Sequence, residues 1–163
     1  MIKSAATVKD EISMGVNKGM ASALGIYANM HVQLFDETGN LKDERFIKNT
    51  VTTAGKNGVA NQILAAPTLA KMGWMAIGTG TPAATLLGAE VARVAFDSKT
   101  APAAVVTVVA TFPAGTGTGA ITEAGTFDVV TANTVNMWMS ASFSVVNKGA
   151  LDSIVITWTL TVA

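Results

Sequence analysis

Residues 134–162 read TVNMWMSASFSVVNKGALDSIVITWTLTV, and apolar side chains occupy every second position in both halves of this stretch. A period of two is typical of β-strands that bury one face. The apolar positions run from Val135 to Val145 and from Ile154 to Val162, and residues of turn type lie between them at 147–150. We therefore predict a hairpin of two long strands, with one apolar face and one face rich in hydroxyl groups.

Such a pair of strands is not stable alone in water, so its apolar face requires a second layer from the rest of the chain. Further strand patterns, separated by turn residues, occur at 30–35, 41–47, 74–77, 91–96, 104–112 and 120–127. Together with the last two they give about eight strands, a number typical of sandwiches. We predict a mainly β fold, an antiparallel β-sandwich or jelly roll, as one domain over residues 29–163.

One short helix is predicted in residues 52–64. Thr52 is a suitable N-cap, and Pro67 ends the pattern. Apolar residues recur at helical spacing, at Val59, Ala60, Ile63 and Leu64. Gly55 and Gly58 weaken the helix, so we expect it to depend on docking against the sandwich.

Residues 1–28 have few large apolar side chains and are predicted to form an N-terminal arm. Two interpretations stay open. The arm could contain a short amphipathic helix near residues 8–14 that packs on its own domain. Alternatively, it could be an extended tail that becomes ordered only on a partner.

The composition excludes several classes of partner. Eleven basic and eleven acidic residues cancel, so we expect no direct binding of nucleic acid. We find neither a signal peptide nor an apolar run long enough to span a membrane. The absence of cysteine excludes disulfides and thiolate metal sites. Residues 100–163 carry few charges, namely Lys148, Glu123, Asp128 and Asp152, and a surface so poor in charge is often covered by partner chains.

A glycine pattern at residues 78–83 has the spacing of a dinucleotide-binding fingerprint, with Asp97 downstream. That fingerprint requires a long helix whose N-terminus receives the pyrophosphate. Here Pro82 and a short loop follow instead. We therefore interpret the pattern as a connection between strands.

Catalytic and metal-binding residues are not expected either. His31 is the only histidine, with no acidic neighbour nearer in sequence than Asp36, and we predict a half-buried structural role for it. The acidic pairs at 36–37 and 43–44 could face each other as a glycosidase dyad, but we expect solvated turn and edge charges. We predict no catalytic residue, no metal and no cofactor, and hence no enzyme.

Two residues are candidates for an interface. Glu123 is isolated in the uncharged half of the chain, and it could anchor nearby backbone amides or contact a partner. Trp138 stands on the hydroxyl face of the predicted hairpin. It should therefore point away from its own core and contact a neighbouring subunit or ligand, unless another segment covers it.

From about residue 46 to the end, the sequence resembles a family of small virion proteins of tailed bacteriophages. The resemblance lies in NTVTTAGKNGVANQILAAP, MAIGTGTPAATLLGAEVARVAF, GTGTGAITEAGTFD and FSVVNKGALDSIVITWTLTVA. It implies a β-sandwich or jelly roll, as in capsid cement or decoration proteins, and it carries over no catalytic residue. Residues 1–45 do not share it.

Two functions are expected from this resemblance. The first is a cement protein, made in the bacterial cytoplasm and bound to the outer surface of the icosahedral head. It would contact the major capsid protein, form a dimer or trimer and reach neighbours with its arm. The second is a tail-fibre or head-fibre adhesin that binds a host-surface glycan. Loops rich in Gly, Thr, Ala and Pro, with few aromatic residues, favour the cement protein.

Overall fold

A computed structural model of the chain describes residues 25–163. Within that range it contains ten strands and one helix: β1 Ile26–Phe35, β2 Leu41–Lys48, β3 Thr50–Val51, α1 Thr53–Asn61, β4 Trp74–Gly78, β5 Glu90–Ala95, β6 Ser98–Thr100, β7 Val105–Phe112, β8 Gly119–Phe127, β9 Met137–Lys148 and β10 Ser153–Val162. The short strands β3 and β6 were not predicted from the sequence.

The strands form two antiparallel sheets of five strands each. Sheet A has the order β2-β1-β10-β7-β6, and sheet B has the order β3-β9-β8-β4-β5. Buried side chains of both sheets share one core, which includes Trp158 and Phe112 of sheet A and Ile77 and Met139 of sheet B. The predicted fold class, a mainly β sandwich with one short helix, is confirmed.

The predicted hairpin of the last two long strands is wrong. β9 pairs with β3 and β8 in sheet B, whereas β10 lies between β1 and β7 in sheet A. The turn at 149–152 is thus a corner between the sheets, and the apolar sides of both strands meet across the core. Alternation predicts which side of a strand is buried, but it does not predict the neighbouring strand.

The alternation in β9 is also interrupted. The pairing of β8 with β9 shifts register between Ile121 and Glu123, so β9 has extra residues there. As a result Val146 is fully buried, while Val145, predicted to face the core, is 44% exposed. A β-bulge of this kind moves the following side chains to the opposite face.

The helix α1 is confirmed, but it is shorter than predicted. The Thr52 hydroxyl accepts a hydrogen bond from the Gly55 amide at 3.0 Å, as expected of an N-cap. α1 ends at Asn61, well before Pro67. Ile63 and Leu64, predicted on its apolar side, lie beyond it and are exposed.

The two glycines of α1 form its contact with the sandwich. A side chain at Gly55 would overlap the Trp138 carbonyl, and one at Gly58 would overlap the Trp138 ring. Glycine at both positions therefore lets the helix backbone approach β9 closely. The predicted dependence of the helix on docking has a direct structural basis in these two residues.

The boundary of the predicted arm needs correction at its C-terminal side. Residues 26–28 belong to β1, where Ala28 is buried and pairs with Leu160. Gly25 is also tied to the domain, since its carbonyl accepts a hydrogen bond from the Ala163 amide at 2.8 Å. Residues 1–24, which make up the rest of the predicted arm, lie outside the described residues.

Candidate functional site

The outer surface of sheet B is covered by two of its own loops, at 79–89 and 128–136. Beneath them a second small apolar cluster forms from Trp74, Ala76, Leu87, Phe127 and Met137. The first loop is joined to β9 directly, because the Met137 amide donates to the Thr85 carbonyl at 3.1 Å. We call this surface the covered face.

Glu123 fastens the first loop to the covered face. Its Oε1 accepts hydrogen bonds from the amides of Gly80 at 3.0 Å and Ala89 at 2.7 Å, and its Oε2 accepts one from Gly88 at 2.8 Å. The side chain is fully buried. Of the two roles left open for Glu123, these contacts show the anchor for backbone amides, while a contact with a partner chain stays a prediction.

This geometry also explains the fingerprint-like glycine pattern. The loop after Gly78 does present backbone amides to an anion, but that anion is the carboxylate of Glu123. A side chain at Gly78 would overlap this carboxylate and the Ala89 carbonyl. The glycines therefore make room for an internal group, in agreement with the interpretation as a strand connection.

An ion pair holds the second loop. Arg93 makes two hydrogen bonds of 2.8 Å to Glu90, and the two side chains are only 2% and 1% exposed. The Arg93 guanidinium lies 3.7 Å from the centre of the Phe127 ring and donates to the Val129 carbonyl at 2.9 Å. The backbone N–H of Asn133, in the second loop, also donates to the Glu90 carboxylate at 3.0 Å.

Sequence reasoning did not identify this pair. Strict alternation places residues 90 and 93 on opposite faces of a strand. A register shift between Ile77 and Gly78, opposite the start of β5, brings both side chains to the covered face. The position of a bulge is not visible in the periodicity of so short a strand.

Within residues 25–163 no loop covers the outer surface of sheet A, and every residue on that surface is at least partly exposed. We call it the open face. The strand register places residues of all five strands on this face: Glu44, Phe46 and Lys48 of β2, Asn29, His31 and Gln33 of β1, Val155, Thr157 and Thr159 of β10, Thr107, Val109 and Thr111 of β7, and Ser98 and Thr100 of β6. The three central strands contribute hydroxyl, amide, imidazole and small aliphatic groups, and also the rings of Tyr27 and Phe35 of β1, without a carboxylate or an ammonium group.

One edge of the open face carries an aromatic pair. The rings of His31 and Phe46 stack with their centres 4.3 Å apart, and His31 Nε2 lies 2.8 Å from Glu44 Oε1. Phe46 is 78% exposed. A shallow depression of about 590 Å³ adjoins the pair and is lined also by Asn29, Lys48, Thr157 and Thr159.

The partly buried position of His31 agrees with the sequence prediction, but its acidic partner was missed. Glu44 is distant in sequence and becomes a neighbour only through the pairing of β1 with β2. The same hairpin does not bring the acidic pairs at 36–37 and 43–44 together as a dyad. Asp36 instead accepts hydrogen bonds from Thr38 and Asn40 within its own turn.

The orientation predicted for Trp138 is wrong. Its side chain is 7% exposed and belongs to the main core cluster, with Gly58 of α1 directly over the ring. The covering segment that sequence reasoning offered as the alternative is the helix. A contact of Trp138 with a partner chain stays a prediction.

Charged groups meet at the corner between β9 and β10. Lys148 is buried and donates to the carbonyls of Pro113 at 3.0 Å and Asp152 at 2.6 Å. Burial lowers the pKa of Lys148, and the charge of Asp152 opposes that effect. Hydrogen bonds from Lys42 and the Gly149 amide hold the pKa of Asp152 below its ordinary value.

Within residues 25–163, no group of three or more histidine, cysteine, aspartate or glutamate side chains is placed to hold a metal ion. No helix in the same range is both long and apolar enough to span a bilayer. Comparisons of the chain with protein-family models, curated proteins and solved structures find no match.

Proposed function

We propose that the chain is a structural protein of a tailed-bacteriophage virion. In this proposal it is a cement protein, made in the host cytoplasm, that binds the outer surface of the icosahedral head. Many copies, as dimers or trimers, lie across the joints between major capsid protein subunits. The resemblance of residues 46–163 to phage virion proteins supports the class, and the open face supports a role in assembly.

The open face is the observation that carries the proposal. Four strands of 8 to 10 residues and one of 3 residues, spaced about 4.8 Å apart, present roughly 600 Å² of surface. One partner contributes roughly 800 Å² to a standard protein interface, so this face supplies most of the area required. Its threonine hydroxyls can donate and accept hydrogen bonds without the desolvation cost of burying a charge.

The proposed stabilisation follows from mass action. A protein that binds only the assembled lattice lowers its free energy by about 2.7 kcal/mol per site at a hundredfold excess over Kd. An oligomer that contacts several capsid subunits gains effective concentration for each further contact. Weak binding at many sites therefore suffices. Because the middle of the open face has no formal charge, binding should depend only mildly on ionic strength.

The test compares phage heads with and without the protein for the temperature at which DNA is released. Thr157→Lys places a charge in the central strand of the open face and should abolish both binding and protection. Ser144→Lys is the matched control, since Ser144 is exposed on sheet B. If heads lacking the protein are equally stable, or if both variants bind equally well, the cement proposal is wrong.

A second candidate is the adhesin, which the exposed Phe46 ring favours. Aromatic rings beside amide, hydroxyl and carboxylate groups are suited to hold a sugar, and Asn29, Glu44 and Thr159 lie around the depression or the ring pair. Under this alternative Phe46→Ala prevents attachment to host cells and leaves the thermal release of DNA unchanged. Under the cement proposal, removal of the whole protein lowers the temperature of DNA release and leaves attachment to host cells unchanged.

A further inference from the structure

Asp128, at the start of the second loop, differs from the other charged residues that follow position 100. Glu123 holds three backbone amides, and Lys148 and Asp152 are hydrogen-bonded at the corner between β9 and β10. The Oδ1 atom of Asp128 is shielded from solvent and has no hydrogen-bond partner within residues 25–163. A shielded carboxylate oxygen without a donor costs free energy, so it indicates a bound group.

Asp128 lines a pocket of about 190 Å³ between α1 and the second loop. Asn57 of α1 and Asn136 of the loop also line it, and both are exposed. The other lining residues are apolar, namely Ala54, Leu69 and Trp138. No lysine or arginine from the described part of the chain is among them. Because one water takes up about 30 Å³ in the liquid, the pocket has room for the end of a side chain.

The pocket is formed by α1, the segment after it and the second loop, and each of these is held by contacts elsewhere. The helix packs closely on β9 through its two glycines. The Leu69 amide donates to Asn61 Oδ1 at 2.9 Å, which ties the segment to the end of the helix. Arg93 donates to the Val129 carbonyl of the second loop at 2.9 Å. A pocket that is formed in advance loses little entropy when it binds a ligand.

The backbone of Asn136 supports a role for its side chain. Its φ of 79° lies in the left-handed region, where glycine is the least strained residue. Asparagine at this position keeps an amide group at the pocket that glycine would not supply. One carboxylate and two side-chain amides therefore border the same small volume, and the oxygens of all three can accept N–H donors.

We propose that this pocket binds the guanidinium group of an arginine side chain from a partner protein. The carboxylate balances its charge, and the planar fork of N–H donors can reach the carboxylate and the amide oxygens together. The apolar lining suits the methylene stem. Calcium fits less well, because it takes about six to eight oxygen ligands, and only one carboxylate lines the pocket. This inference concerns the isolated chain and does not depend on the proposed function.

The test uses Nα-acetyl-L-arginine methylamide, which presents the side chain as a peptide does. In NMR spectra of the full-length chain, it should shift the side-chain amide signals of Asn57 and Asn136 saturably, with a Kd in the millimolar range. The citrulline analogue is the matched control, because it has the same length and no charge, and it should bind about tenfold more weakly. Unshifted amide signals, or equal affinities for the two compounds, would overturn the proposal.

Variants of the chain locate the site. Asp128→Asn keeps the shape of the side chain but removes its charge, so the affinity for the arginine compound should fall about tenfold. Its thermal midpoint should not fall, because Oδ1 has no donor to lose. Asp97→Asn is the matched control, since Asp97 is an exposed carboxylate outside the pocket, and it should leave the affinity unchanged. Equal affinities of these two variants would contradict the proposed site.

Asn136→Gly separates binding from folding. Glycine suits the left-handed backbone, so the thermal midpoint should stay or rise while the affinity falls about threefold or more. An unchanged affinity would remove the amide from the site and overturn the proposal.

Two further titrations decide the class of ligand. Free L-arginine and calcium chloride should both bind no more tightly than the arginine methylamide. Tighter binding of L-arginine would assign the pocket to a free amino acid, and tighter binding of calcium would assign it to a metal ion. Either result would overturn the proposal.

Discussion

The two outer faces of this sandwich differ in what lies on them. On the covered face, loops bury Glu123 and the pair of Glu90 and Arg93, and each of these groups is satisfied by hydrogen bonds. On the open face, the central strands carry no carboxylate or ammonium group, and no described loop covers them. Buried charge thus serves the fold on one side, while on the other side a surface with uncharged central strands is left available for contact.

The largest effect is expected from Arg93→Leu. It leaves the buried Glu90 carboxylate without its cation, which should cost about 3–5 kcal/mol of unfolding free energy. Arg45→Leu is the matched control, because Arg45 pairs with Asp43 at 3.0 Å in a partly exposed position and should lose less than about 1 kcal/mol. Guanidinium denaturation measures both. Equal losses would remove the contrast between buried and surface ion pairs.

A smaller loss is expected from Glu123→Gln. The amide keeps the shape of the side chain, but its NH₂ group faces a backbone N–H that then has no acceptor, at a cost of about 1–3 kcal/mol. Glu44→Gln makes the same change on the open face, where water can replace the lost bonds, and should be close to neutral. The urea concentrations at which the two variants are half unfolded measure this difference in stability. A neutral Glu123→Gln would mean that the loop does not depend on its anchor.

In sheet A, the Asp36 carboxylate in the β1–β2 turn is expected to make stability depend on acid pH. Hydrogen bonds from the Thr38 hydroxyl and from Asn40 lower the pKa of Asp36 from 3.8 to about 2. A depressed pKa gives stability that is present above the unfolded value and is lost as pH falls through the folded value. Between about pH 4 and 2, Asp36→Asn should flatten the fall in stability, and Thr38→Val should flatten it partly. If stability falls with pH equally steeply in both variants and in the original protein, this turn is not the source of the pH dependence.

The smallest effect on stability is expected from Thr157→Val. If the open face has no cover, the hydroxyl is solvated in the free protein, and its loss should change the free energy of unfolding by no more than about 0.5 kcal/mol. Calorimetry of the isolated protein checks this. A loss above about 2 kcal/mol would show that the hydroxyl is buried by another part of the chain.

The strands were largely predictable, because alternation in β7 and β10 marks the residues that the core buries. The neighbours of each strand were not, since β9 and β10 have the pattern of a hairpin and yet lie in separate sheets. Bulges could not be predicted either, because alternation does not show where a strand has extra residues. In β9, Val146 therefore takes the buried position predicted for Val145. The sequence showed that two glycines lie in α1, but their contact with Trp138 could be seen only in the tertiary structure.

Parts of the candidate sites were predictable for physical reasons. An isolated acid among small residues has to be satisfied if it is buried, and this logic gave the anchor as one of the two roles considered for Glu123. The stack of His31 on Phe46, with Glu44 as partner, depends on strand register and could not be derived from spacing alone. The hydroxyl-rich side of β10 followed from alternation, but the sequence did not show that this side belongs to a sheet face without loops over it.

The position of β10 between β1 and β7 has a consequence for biosynthesis. β10 begins at Ser153 and is the strand that joins β1 to β7, so sheet A cannot join its two halves until β10 has left the ribosome. Folding that depends on such distant pairs is slow, on the order of milliseconds to seconds for β-sandwiches. During translation, β1 and β7 each present an unpaired edge to other nascent chains. Translation that stops before Ser153 should therefore yield aggregates and not a smaller folded domain.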